Sequence, residues 1–129
     1  MEAFKIGSLI FLPLFLLSCE GGTTFTKVIK NDSSETVTVK LYQSVLSNDQ
    51  TFNIGPKQKK TIFWTDNERR FVDETYECTA EIDSVELSVS NGKKLMKSML
   101  DNNNWDKDSK GGRNSMEKCT FTITDSDLE

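Results

Sequence analysis

The chain of 129 residues contains no histidine, and that absence removes more chemistry than any motif supplies. Without an imidazole the chain cannot by itself assemble Ser-His-Asp or Cys-His nucleophilic machinery, nor a histidine-ligated zinc site. Its three cysteines include no CxxC pair, so a redox or zinc motif of that spacing is missing as well. Neither a glycine-rich phosphate loop nor a dinucleotide fingerprint occurs. Basic charge is not in excess: Lys+Arg 16 against Asp+Glu 20 leaves −4 at pH 7. The two signs are interspersed, which argues against a nucleic-acid groove. Lys57, Lys59 and Lys60, like Arg69 and Arg70, read as solvated surface. Paired carboxylates can serve a glycosidase, but acids scattered through loops are ordinarily surface. The expectation is a protein that is not an enzyme and carries no cofactor or metal.

What is present begins with a charge-poor run from Ile6 to Leu17 that closes on Leu16-Leu17-Ser18-Cys19. The run is too short to cross a bilayer stably and has the layout of a secretory signal. Its closing residues resemble the lipobox of bacterial lipoproteins. That resemblance implies a diacylglyceryl thioether on the Cys19 sulfur, cleavage after Ser18 and acylation of the new amino group with a palmitate-like chain. Two or more acyl chains hold a protein stably on a membrane where one does not, so the membrane is the expected partner. The alternative is an ordinary signal peptide in which Cys19 is incidental. The expected organisation is a signal peptide over 1–18, a lipidated tether over 19–24 and one β-sandwich domain over 25–129. Such a tether reaches at most about 17 Å.

With Cys19 committed to lipid, Cys78 and Cys119 remain, and an exported chain is expected to pair them. Alternation supports the pairing. Cys78 shares a strand parity with Ala80 and Ile82, and Cys119 shares one with Phe121 and Ile123, so both sulfurs point where the apolar side chains point. The alternative is two buried free thiols.

Period-two alternation dominates the rest, and no amphipathic helix stands out. Strands are expected at Phe25 to Lys30, Thr36 to Tyr42, Thr51 to Ile54, Thr61 to Trp64, Ser84 to Ser90 and Lys118 to Thr124. Asn31-Asp32-Ser33-Ser34 and Gly55-Pro56 supply turns. Val72, Tyr76, Cys78, Ala80 and Ile82 keep one parity, and a bulge at Asp83-Ser84 would switch it to that of Val85, Leu87 and Val89. Ser90-Asn91-Gly92 reads as a hairpin turn leading into a strand from Lys93 to Met99. The polar stretch from Asp101 to Ser115 reads as a long loop. The fold class is therefore all-β, an antiparallel immunoglobulin-like two-sheet sandwich of about seven to eight strands.

Asn31 to Ser34 ahead of Val37-Thr38-Val39, followed by Phe52 to Pro56, resembles the opening strands of immunoglobulin-like domains. Residue 117 is Glu where antibody domains have Tyr, and Trp105 lies in a polar stretch, so the antibody type is not matched. Asp83-Ser84-Val85, Asn91-Gly92-Lys93 and Phe121-Thr122-Ile123-Thr124-Asp125 resemble small β-sandwich lipoproteins of Bacteroidota. This implies an outer-membrane lipoprotein. Only Glu20 follows Cys19 as an acid, which favours the periplasmic face.

Four further patterns invite a site. Asp106, Asp108, Gly111 and Glu117 match positions 1, 3, 6 and 12 of a calcium loop, but Lys110 stands where an oxygen is needed and the flanks are not helical. Trp105 reads as a lid over the core or as a stacking platform; Phe63, Trp64 and Phe71 read as core or as an exposed aromatic patch. Asn31-Asp32-Ser33 is a glycosylation sequon without force in a bacterium, and Asp83-Ser84-Val85 resembles an O-glycosylation triplet or a capped turn. The function expected is that of a lipid-anchored envelope protein, a non-enzymatic binding or structural module with an envelope protein or glycan as partner. The alternative is a proteinaceous inhibitor of a periplasmic hydrolase, which would use the stretch from Asp101 to Ser115.

Overall fold

The computed structural model describes residues 22–44, 47–67, 76–112 and 114–129. Cys19, the lipobox and Phe71 lie outside them. Seven strands occur among the described residues: β1 (Gly22–Asn31), β2 (Val37–Gln43), β3 (Asn48–Ile54), β4 (Lys59–Asn67), β5 (Ser84–Val89), β6 (Asp106–Lys110) and β7 (Asn114–Ile123). They form two packed sheets, one ordered β4-β1-β7-β6 and the other β3-β2-β5. The chain is thus an all-β two-sheet sandwich, as its alternation indicates. Every pairing is antiparallel except one: β1 and β7 run parallel, in register from Gly22 opposite Asn114 to Asn31 opposite Ile123.

The core lies between the sheets. Alternate residues of β2 (Val37, Val39, Leu41) face alternate residues of β1 and β7 (Ile29, Phe121, Ile123), all at most 1 % exposed. In β4 the parity breaks, because Lys27 pairs with Phe63 but Val28 pairs with Thr61, which leaves Ile62 as an extra residue. This bulge lets the consecutive Ile62 and Phe63 both turn inward, Ile62 into the core and Phe63 against Lys27, which regular alternation does not allow.

Asn31 closes the upper end of the core. Its side chain is fully buried. The amide donates to the carbonyls of Glu35 (2.7 Å), Ile54 (2.9 Å) and Gly55 (3.1 Å), while Oδ1 accepts from the Ser33 backbone (3.1 Å) and hydroxyl (2.6 Å). One residue therefore ties the turn after β1 to the turn after β3. The buried Asn31 amide is committed to these bonds and is no glycan acceptor in the fold.

Four expectations are corrected. Residues 22–24, assigned to the tether, belong to β1, and Thr23 is fully buried with its hydroxyl 2.6 Å from that of Ser115. The segment after Ser90-Asn91-Gly92 is no strand on β5. It turns at Gly92 (φ +78°) and runs to the chain's last residues, where Lys94 and Glu129 exchange backbone bonds of 2.7 and 3.0 Å and Met96 donates to Asp127. This path buries Met99 against the core, with the Trp105 indole N–H on its carbonyl at 2.9 Å. The stretch from Asp101 to Ser115 is not a long loop but a 3-10 turn (Asn102–Asn104) and the β6–β7 hairpin. An edge strand exposed on all residues needs no apolar face, so its sequence reads as loop. Finally, Cys78 and Ala80 sit in a turn rather than on a strand; of the parity run, Val72 lies outside the described residues.

Asn31→Asp keeps the shape but removes the donor and sets a carboxylate among three carbonyls. It is expected to lower stability by at least about 3 kcal/mol, read as a lower urea midpoint with an unchanged slope.

Candidate functional site

The inner face of β1 and β7 changes character along its length. Above Cys119 it is apolar; below, the inward positions are Thr23, Phe25 and Lys27 on β1 with Ser115 and Glu117 on β7. Residues 76–83, the described part of the segment between β4 and β5, cross this lower half in consecutive turns closed by Ala80 N–H to Glu77 C=O (3.0 Å) and Ile82 N–H to Thr79 C=O (3.2 Å). Glu81 takes φ +63°, a left-handed conformation that costs a non-glycine residue free energy and is held only by its surroundings.

Those surroundings are charged. Lys27, its side chain 1 % exposed, donates to the Ala80 carbonyl and to Glu81 Oε2 at 3.0 Å. Its ammonium lies 5.2 Å from the Phe63 ring centre and 5.5 Å from that of Tyr76, so two ring faces replace part of its lost hydration. Burial lowers the Lys27 pKa, with the Glu81 hydrogen bond and charge opposing that shift. Tyr76 donates to the same Glu81 oxygen at 2.9 Å and packs on Phe25 at 4.7 Å between ring centres. Its phenol is pushed far above the ordinary range by burial first, then by the charges of Glu81 and Glu117. On the far side of Tyr76, Lys107 donates to the Tyr76 carbonyl at 2.8 Å and lies 3.6 Å from the fully buried Glu117.

Cys78 and Cys119 complete the attachment. Their sulfurs stand at disulfide distance, 2.08 Å, and tie this segment to β7 across 41 residues. Both are buried. The pairing expected from the sequence is therefore at hand, but the strand parity invoked for Cys78 is not its cause. Two turns bring the sulfur inward, and Asn102 accepts the Cys78 backbone N–H at 2.7 Å.

Chemically, this cluster fastens a segment to a sheet. Lys27 and Glu117 are closed off from solvent, so no substrate reaches either. The sequence hides the cluster because Lys27 and Glu117 sit on strands at apolar parity; a charged residue at such a position is the one signal that would reveal it.

The residues singled out from sequence do not converge on a site. Asp106 and Asp108 pair on β6 opposite Thr120 and Lys118, whereas Glu117 shares the other face of the sheet with Cys119, so the calcium template's oxygens point to opposite sides. No group of three or more metal-ligating side chains is found among the described residues. Trp105 is 6 % exposed and packs 5.2 Å from Phe121; it is core, not a platform. Phe63 is core too, while Trp64 is 64 % exposed on the outer face. In the triplet Asp83-Ser84-Val85, Asp83 accepts the Ser44 backbone N–H at 2.7 Å and Ser84 begins β5. The chain matches no protein-family model, no curated protein and no solved structure.

Two outcomes are expected here. Cys119→Ala should lose about 4 kcal/mol by chain entropy for a loop of this length, with intact mass of the parent rising by two hydrogens on reduction. Free thiols in the unreduced parent would sink the bridge. For Tyr76, the unfolded phenol ionises above its ordinary 10.0 while the folded one stays protonated. The unfolded state then binds fewer protons, and stability falls as pH rises past 10. In Tyr76→Phe that alkaline decline should be shallower, measured by thermal unfolding between pH 8 and 11.

Proposed function

We propose that the protein is a lipid-anchored component of a bacterial cell envelope, held by Cys19 and acting as a non-enzymatic binding or structural module. The lipobox-like Leu16-Leu17-Ser18-Cys19 carries the reading, and the fold sets its geometry: β1 is clamped between β4 and β7 from its first residues, which begin three positions after Cys19. Three residues reach at most about 11 Å. An acylated Cys19 would thus hold the sandwich directly against the bilayer. The end bearing Gly22 and Asn114 would face the lipid, and the turns after β1, β3 and β5 would face away. Attachment to the outer membrane on its periplasmic side is the location that fits the residues after Cys19.

The titratable groups that the fold gathers bind its own segments together, which favours a module over a catalyst. The inhibitor alternative relied on a long loop from Asp101 to Ser115. That stretch is a turn and an edge hairpin, so the observation behind the alternative is gone.

Metabolic labelling with an alkyne fatty acid is expected to tag the wild-type chain and not Cys19→Ala, which should be released from the membrane fraction. An unlabelled wild type would overturn the anchoring.

A further inference from the structure

Among the described residues the outer edge of β5 has no neighbouring strand, and β2 is its one partner. Ser90 donates to the Thr36 carbonyl at 2.9 Å, in register with the β2–β5 pairs. The alternation of an antiparallel ladder therefore turns the N–H and C=O of Val85 and Leu87 away from β2. Among the described residues no backbone group meets them there, because the segment from Lys93 to Met99 runs off to pair with Asp127 and Glu129.

A groove of about 390 Å3 follows this edge, with Val85, Leu87, Leu95 and Met99 as its apolar walls and Lys94 and Lys97 at its rim. Edge strands are ordinarily guarded by lysine, proline or a bulge. β5 reads Ser-Val-Glu-Leu-Ser-Val; it has neither residue, and its one charge, Glu86, lies on the parity facing away from the core.

We propose that the β5 edge takes an extended segment of a partner polypeptide, which adds as a fourth strand to the three-stranded sheet. Only a polypeptide repeats donors and acceptors at the two-residue spacing that Val85 and Leu87 present. Every second side chain of the incoming strand enters the groove and is apolar. An acidic residue answers Lys94, since Lys97 already faces Asp127 at 3.2 Å. A second copy of this chain fits less well, because two lysine rims would meet. The proposal rests on the binding-module reading and names its partner class.

The probe is a seven-residue peptide in which valine and leucine alternate with threonine and a glutamate ends the chain. Titration against the full, oxidised protein should show saturable binding and slowed hydrogen exchange at the Val85 and Leu87 amides. The same peptide N-methylated on alternate amides should bind at least tenfold more weakly. Leu87→Pro removes one outward N–H and leaves the bonds to β2, so it should weaken binding by a similar factor; the methylated probe decides the matter even if that variant does not fold. Equal binding of both peptides, binding of neither, or self-association of the free protein through β5 would each overturn the proposal. Capture from envelope extracts separates the two levels. A component retained equally by wild type and Leu87→Pro defeats the edge alone, whereas no retained component and no peptide binding defeat the module reading as well.

Discussion

The parallel pairing of β1 with β7 is the constraint on which the other contacts depend. Parallel neighbours cannot be joined by a hairpin, and these two are the first and last strands of the sandwich, so the whole intervening chain serves as their connection. That chain crosses to the second sheet with β2 and β3, returns with β4, crosses again with β5 and returns with β6. Each crossing needs a firm corner. Asn31 supplies one corner by binding the turns on both sides of it, and Ser34, whose N–H and hydroxyl both reach Asp125 at 2.8 Å, links that corner to the end of β7. β1 is thereby paired on both sides, and no described part of it is left as tether.

The second sheet is shorter than the first, and that mismatch explains the charged cluster. β2 ends at Gln43, whose side-chain amide binds the Ile62 carbonyl at 3.3 Å, level with Lys27 on β1. Below that level, among the described residues, no strand of the second sheet covers the inner face of β1 and β7, and residues 76–83 lie over it. A segment of turns cannot offer a ladder of backbone bonds, so it is held by side chains. An ion pair there is a weak source of net stability, because desolvation offsets most of the Coulombic gain. What it supplies is position: once Lys27 is buried, leaving Glu81 out of place would strand a charge. The disulfide acts differently, by restricting the unfolded chain. The two devices fix one segment to two adjacent strands, Lys27 to β1 and Cys119 to β7.

Alternation made the strands legible wherever one face is apolar. β2 is the clearest case, with Val37, Val39 and Leu41 inward. The same rule failed where burial and polarity part company. β6 is exposed at every residue and carries Asp106, Lys107, Asp108 and Lys110, so it lacked any pattern to read. The run from Lys93 to Met99 had strand-like residues and a proper turn before it, but its partner lies at the far end of the sequence, and local propensity carries no information about partners. The parallel neighbours β1 and β7 were unreadable for the same reason. Cys119 follows the strand parity, buried on the same face of β7 as Phe121 and Ile123, whereas Cys78 reaches it from a turn, which alternation does not describe. The cluster around Lys27 shows in the sequence only as charges at apolar parity, Lys27 on β1 and Glu117 on β7; that Tyr76 and Glu81 join them is information only the fold holds.

The two edges on the open side of the sandwich show how differently one chain can treat exposed backbone. On β6, alternating charges line the strand, Asp108 stands opposite Lys118 and Lys107 turns in toward Glu117. Any strand docking there would have to desolvate several charges at once, which is the usual defence of a sheet edge. On β5 the residues are serine, valine and leucine apart from Glu86, and the segment that could have covered them is diverted to Leu128, where Leu95 forms a single bridge. That diversion carries a cost, since Met96 and Leu100 remain 60 % and 49 % exposed. Covering β5 instead would bury more backbone bonds but would draw Met99, whose carbonyl holds the Trp105 indole, out of the core. Among the described residues the fold keeps that core contact and leaves the β5 edge open, with apolar exposure at Met96 and Leu100 as the consequence.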